Sequence, residues 1–98
     1  MIHRFVKLEF SRKELPAVRT LFANAAPHVR DFEGCEYLEI LFDVKQRGKV
    51  ITYSHWQSLE HLDAYRHSPV FQDFWLTIKP HFTKPAEAWS MHRGILLP

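Results

Sequence analysis

The stretch Tyr65-Arg66-His67-Ser68-Pro69-Val70-Phe71 decides the fold, because Ser68-Pro69 reads as the start of one helix and the residues before it as the end of another. A serine at the N-cap offers its hydroxyl to a free helix amide, and proline suits the first helical position, where its missing N–H is not needed. Val70, Phe71, Phe74, Trp75 and Ile78 then form one apolar stripe, and Pro80 stops the run. Upstream, Leu59, Leu62 and Tyr65 share a face of a short helix that begins at Ser58. Two short helices in succession, joined where polar side chains stand beside aromatic ones, build a small buried pocket.

Working outward, residues 49 to 56 read as a strand that closes at Trp56, preceded by a hairpin loop over 43 to 48 with Lys45, Arg47 and Gly48, and by a strand over 35 to 42. Phe32-Glu33-Gly34 is a turn, with Gly34 suited to a left-handed backbone. Before it, Leu15, Val18, Leu21, Phe22, Ala25 and Val29 recur at helical spacing. Ser11 and Glu14 have capping-box spacing, Pro16 favours a start near Leu15, and Pro27 is expected to kink or end the helix. Residues 2 to 10 alternate as a strand, and 86 to 92 form the last one, with Trp89 and Met91 on one side and an apolar tail over 93 to 98. The order βαββααβ, with no repeat or linker, predicts one α+β domain over residues 1–98: a ferredoxin-like layer of helices on a four-stranded antiparallel sheet.

At 98 residues the chain buries roughly two-thirds of the surface its unfolded form exposes, so its core is limited. Eight Phe, three Trp and three Tyr need more shelter than that core provides. Both sheet faces are partly apolar, since the third strand offers Ile51 and Tyr53 on one side and Val50 and Trp56 on the other. Helices can cover one face, and a second copy packed sheet to sheet in a two-fold dimer can cover the other.

Thirteen basic and eleven acidic residues are spread along the chain without a basic run, which argues against a nucleic-acid partner. The single cysteine, Cys35, cannot form an internal disulfide, and Met1-Ile2-His3-Arg4 lacks a signal-peptide pattern, so a cytoplasmic setting is expected. No apolar run approaches the roughly 18 residues of a membrane span. Three glycines leave no phosphate loop or dinucleotide fingerprint, and no His pair has zinc-motif spacing, so no metal is expected.

Among candidate site residues, Arg4 shares the alternation of Ile2, Val6 and Leu8, on the side expected to meet the helices. A charge there needs an anion, a partner such as Glu36, or a route to water. Trp56, Phe71 and Trp75 converge from three elements as substrate-binding walls suited to a flat ligand, joined by Phe22 of the first helix; the plainer alternative is ordinary core. Tyr65 brings a hydroxyl that needs a partner if buried. His67, His55 and His61 are the local base candidates; His67, next to the helix break, could as easily contact a helix terminus in solvent, and alternation points His55 toward the opposite face.

Thr52-Tyr53-Ser54-His55-Trp56-Gln57-Ser58, the short helix after it, and His67-Ser68-Pro69-Val70-Phe71 resemble the antibiotic biosynthesis monooxygenase family of dimeric α/β-barrel proteins. The resemblance implies the same homodimer, a pocket between each subunit's sheet and helices, and oxidation of a small phenol, quinol or anthrone by molecular oxygen without metal or flavin. Tyr65 stands where that family often places a His or an aromatic pocket residue, and the roles implied are Tyr65 or His67 as base and Arg4 as anion stabiliser. A sister branch that binds and opens haem is also similar through Tyr65 to Phe71. It uses an iron-binding His where this chain has Trp75 and an Asn where it has Val6, which leaves only His67 or His81 as substitute ligands and makes haem an unexpected cofactor. A third reading is a non-enzymatic dimer that binds a hydrophobic metabolite.

Overall fold

In the computed structural model, which describes residues 1–98, the alternating start of the chain forms β1 (Ile2–Glu9). It pairs antiparallel on one side with β3 (Lys49–Trp56) and on the other with β4 (Glu87–Met91), while β2 (Cys35–Phe42) extends the sheet beyond β3. The strand order β2-β3-β1-β4, with α1 (Leu15–Arg30), α2 (Leu59–Arg66) and α3 (Pro69–Ile78) between strands, is the expected α+β ferredoxin-like arrangement. No helix is long and apolar enough to cross a membrane.

Each helix start follows from its capping chemistry. Ser58 and Ser68 both sit in extended backbone as N-caps, and their side chains accept from the amides of His61 and Phe71. Ser11 does not act this way: it precedes a 3-10 turn over Arg12–Glu14, its side chain makes no cap bond, and the Glu14 carboxylate contacts His81 instead. Pro27 does not end α1, which runs on to Arg30. Its missing N–H frees only the carbonyl one turn earlier, at Ala23, and both residues lie on the exposed side of the helix where water can take over. After α3, Pro80 falls within a 3-10 turn over Lys79–His81.

Gly34 and Gly48 are the two residues with positive φ, at 92° and 101°. A Cβ on Gly48 would strike the Phe10 carbonyl oxygen, because the chains approach closely where the Phe10 amide donates to the Gly48 carbonyl at 2.8 Å. That contact closes the β2–β3 hairpin onto the end of β1.

The helix-facing side of the sheet does not make one continuous core. Leu8, Phe10, Val18, Phe22, Val50 and Ile78 form one buried cluster, and Val29, Cys35, Trp56 and Leu62 form another. The opposite face has no cover within the chain. Tyr37, Leu41, Trp89 and Met91 stand exposed there, around a polar cluster in which the Tyr53 hydroxyl bonds His3 Nδ1 at 2.9 Å and His55 Nε2 at 2.7 Å.

Candidate active site

Between the two core clusters lies a cavity of about 340 Å³. Its floor is the helix-facing side of the sheet, including Arg4 and Val6 of β1, Ile40 of β2, and Thr52, Ser54 and Trp56 of β3. Its roof comes from Phe22 of α1, Tyr65 and Arg66 of α2, and Phe71 and Trp75 of α3. The space exists because small side chains stand where large ones would fill it: Ala25 and Ala26 above, Ser54 on the floor, Ala86 and Ala88 at the β4 side. A volume in this range suits a small organic ligand, at the lower end of the roughly 300–1,000 Å³ seen in ligand pockets.

The aromatic walls are held in order. Tyr65 stacks on Trp56 at 4.8 Å with planes 25° apart, and Trp75 stacks on Phe71 at 5.4 Å and 17°. Phe71 meets Tyr65 edge-on at 5.3 Å, so the two stacks form a continuous L-shaped wall. Trp56 is 1% exposed, and its indole N–H donates to Ser54 Oγ at 2.9 Å, which satisfies its one polar atom. Trp56 and Trp75 therefore line the cavity and leave it open.

Three ionisable side chains line this space: Arg4, Tyr65 and Arg66. Arg4, half-buried, donates from Nη1 to Ser90 Oγ at 2.9 Å. The ion pairs of the fold involve Lys7, Lys49, His81 and Lys84 with their carboxylates, so neither cavity arginine is neutralised by one. Burial first, and then the charge of Arg66, lower the Arg4 pKa. Burial drives the Tyr65 phenol well above its ordinary value, with Cys35 adding to the rise and Arg4 opposing it. The Tyr65 carbonyl accepts from Ser68, whereas its hydroxyl has no partner within the chain, and since no buried side-chain polar atom is left without one, the hydroxyl keeps some exposed surface on a residue that lines the cavity.

Arg4, Tyr65, Trp56, Phe71, Trp75 and Phe22 thus come together, and His67 does not. His67 is exposed and donates from Nδ1 at 2.8 Å to the Asp63 carbonyl, which also accepts the His67 amide at 3.1 Å, so both donors meet one acceptor in the last turn of α2. Arg4 takes Ser90 as partner, while Glu36 contacts Gln57. His55 faces the open side of the sheet as alternation indicates, and His61 bonds Ser58 Oγ at 2.7 Å beside the N-cap. Sequence reading missed Arg66 and Ser90. Arg66 was findable, since it lies four residues from Leu62 and so on the helix face that meets the sheet. Ser90 was not, because only the register Arg4↔Ser90 brings it to the arginine.

No imidazole or thiolate lines the cavity, and no group of three His, Cys, Asp or Glu residues is placed to hold a metal ion. Of the side chains that can serve a haem iron as axial ligand, His, Cys, Met or Tyr, only Tyr65 lines the cavity.

Solved structures share this architecture closely. A candidate antibiotic biosynthesis monooxygenase from Deinococcus radiodurans superposes with a TM-score of 0.88 at 19% identity, covering 100% of this chain and 97% of its own. A second structure, described as an antibiotic biosynthesis monooxygenase, gives 0.90 at 16% identity over 97% of this chain and 100% of its own. A conserved protein from Methanosarcina mazei gives 0.89 at 14% identity, covering 95% and 92%. These likenesses establish the fold. No curated protein matches the chain by sequence. The sequence model of the family described as antibiotic biosynthesis monooxygenase matches residues 1–75, from β1 into α3 and including Arg4, Trp56, Tyr65 and Phe71. The chain belongs to the antibiotic biosynthesis monooxygenase family.

Proposed function

We propose that this protein is a monooxygenase that needs no cofactor and oxidises a small electron-rich aromatic, of phenol, quinol or anthrone type, with molecular oxygen. The observation that carries the reading is an open cavity with stacked aromatic walls and with Arg4 and Tyr65 together at it. The anion of such an aromatic can pass an electron to oxygen unaided. The protein then has to position the ring, favour the anion and keep water away.

Arg4 fits the stabilisation of negative charge, first on the substrate and then on reduced oxygen. Tyr65 keeps its proton at neutral pH and fits a hydrogen-bond donor, not a base. His67, turned to the α2 terminus, has no part in it. For a methylene carbon of anthrone type, the carbon gains one oxygen atom and loses two hydrogens, and these leave with the second oxygen atom as water. The substrate supplies all four electrons, so no external reductant is needed.

The working form is a homodimer, a dimeric α/β barrel in which a second copy covers the sheet face of Tyr37, Leu41, Trp89 and Met91. A cytoplasmic, reducing setting suits the free buried thiol of Cys35. Oxygen consumption by chelator-treated protein over a panel of anthrones, dihydroxynaphthalenes and catechols tests the reading. Saturable uptake that depends on the protein is expected, and a rate equal to buffer autoxidation would refute it. Hemin should give no sharp haem-protein absorption band on titration.

A further inference from the structure

Arg4 and Arg66 are two cations at one apolar cavity, neither engaged in an ion pair, and no carboxylate, imidazole, lysine or thiol lines the space with them. Two like charges brought toward a low-dielectric space repel each other and lose hydration, an arrangement that a ligand's negative charge relieves. Arginine also presents a planar fork of donors matched to carboxylates and similar anions. The cavity holds no base to create that negative charge. Its single remaining titratable group, Tyr65, is a neutral phenol placed to donate a hydrogen bond.

The geometry points to a preformed aromatic anion as the ligand: a flat monoanion whose acidic group ionises below neutral pH in solution, gripped between Arg4 inside and Arg66 at the solvent side, with its ring along the Trp56–Tyr65 and Phe71–Trp75 stacks. Arg66 is then the residue that sets selectivity for charge, a role separate from the positioning of the ring. The inference rests on the proposed function only in taking this cavity as the substrate site. Around Arg4 the facing charged and titratable groups are Arg66, Tyr65 and Asp63, all on α2, and Cys35 lies near Tyr65. Asp63 is exposed and makes no ion pair with Arg4, so it leaves the cavity's net charge positive.

The test is equilibrium binding under anaerobic conditions, followed by quenching of tryptophan fluorescence, with 1-hydroxy-2-naphthoate, its uncharged amide, and the acidic phenol 2-hydroxy-1,4-naphthoquinone. Both anions are expected to bind at least tenfold more tightly than the amide. A preference for the naphthoate alone would assign the site to carboxylates, and one for the quinone alone to acidic phenols. Affinity should rise with pH through each anion's own pKa and then level off. Arg66→Gln, on the exposed surface of α2, should remove at least tenfold of the anion affinity and leave the amide within twofold, and Arg4→Ala should do the same if it folds. Equal binding of amide and anions, or an Arg66→Gln variant with full anion affinity, would overturn the inference. Anion binding without oxygen uptake would remove the oxygenase reading and leave the anion site, and uptake with a neutral-ligand preference would do the reverse.

Discussion

The ring of Tyr65 lies against the ring of Trp56, centroids 4.8 Å apart and planes 25° apart, and this stack ties α2 to the end of β3. Phe32 meets both rings edge-on, at 5.5 Å from Tyr65 and 6.3 Å from Trp56, so the stack is supported from behind by the turn that follows α1. The consequence is a rigid wall with a phenol hydroxyl left unpaired on a residue that lines the cavity. Packing and chemistry at Tyr65 can therefore be separated.

Tyr65→Phe keeps the stack and removes the hydroxyl. It should leave the unfolding midpoint close to that of the parent while cutting turnover more than tenfold. Tyr65→Ala removes the stack as well and should lower stability by about 3 kcal/mol in a denaturant titration. A Phe variant with near-normal turnover would remove the donor role, and Arg4→Ala carries the same tenfold expectation for the anion-stabilising role.

On the uncovered sheet face, Leu41 is 46% exposed and Tyr37 40%. Light scattering at micromolar concentration should return twice the chain mass, and Leu41→Lys should shift it toward the monomer, since a charge buried without a partner at a sheet-to-sheet interface is costly. A clean monomer mass for the parent protein would remove the sheet-to-sheet assembly.

His55 sits on that same face, and burial, followed by the charges of His3 and Arg93, lowers its pKa from the ordinary 6.5, with Glu39 opposing. Above pH 6.5 the imidazole is neutral in both folded and unfolded chains. As pH falls below that value the unfolded chain takes up the proton first, so stability declines until the depressed folded pKa is passed. Melting midpoints at pH 7.5 and 5.5 should show this decline, and His55→Gln should reduce it. An unchanged slope in the variant would place the pH sensitivity elsewhere.

Gly48→Ala places a Cβ against the Phe10 carbonyl at a φ of 101°, and the clash is with backbone that cannot swing aside. A loss of more than about 1 kcal/mol is expected. Gly94→Ala, where a Cβ would meet nothing, is the control and should be neutral by the same denaturant titration.

Much of this was legible in the sequence because the signals are local. Ser68-Pro69 fixes a helix start through a hydroxyl and a ring, and period-two alternation separates Trp56 from His55 across the sheet. Ser11 and Glu14 have the right spacing for a capping box yet form none, because Glu14 is drawn to His81 across 67 residues, a partner that no local pattern contains. His67, beside the helix break, could from sequence serve as a base or contact a helix terminus, and its ring nitrogen bonds the Asp63 carbonyl that also accepts its own amide. The Arg4–Ser90 bond depends on the pairing of the first and last strands, which only the folded sheet defines.

The most direct measurement is the fate of oxygen atoms in a single reaction, with chelator-treated, flavin-free protein, a turned-over anthrone or dihydroxynaphthalene, and ¹⁸O-labelled molecular oxygen. Mass spectrometry should find one labelled atom in each product molecule, at a rate that falls in Tyr65→Phe and Arg4→Ala. Product without label, or label recovered only as peroxide, would contradict a monooxygenase at this cavity.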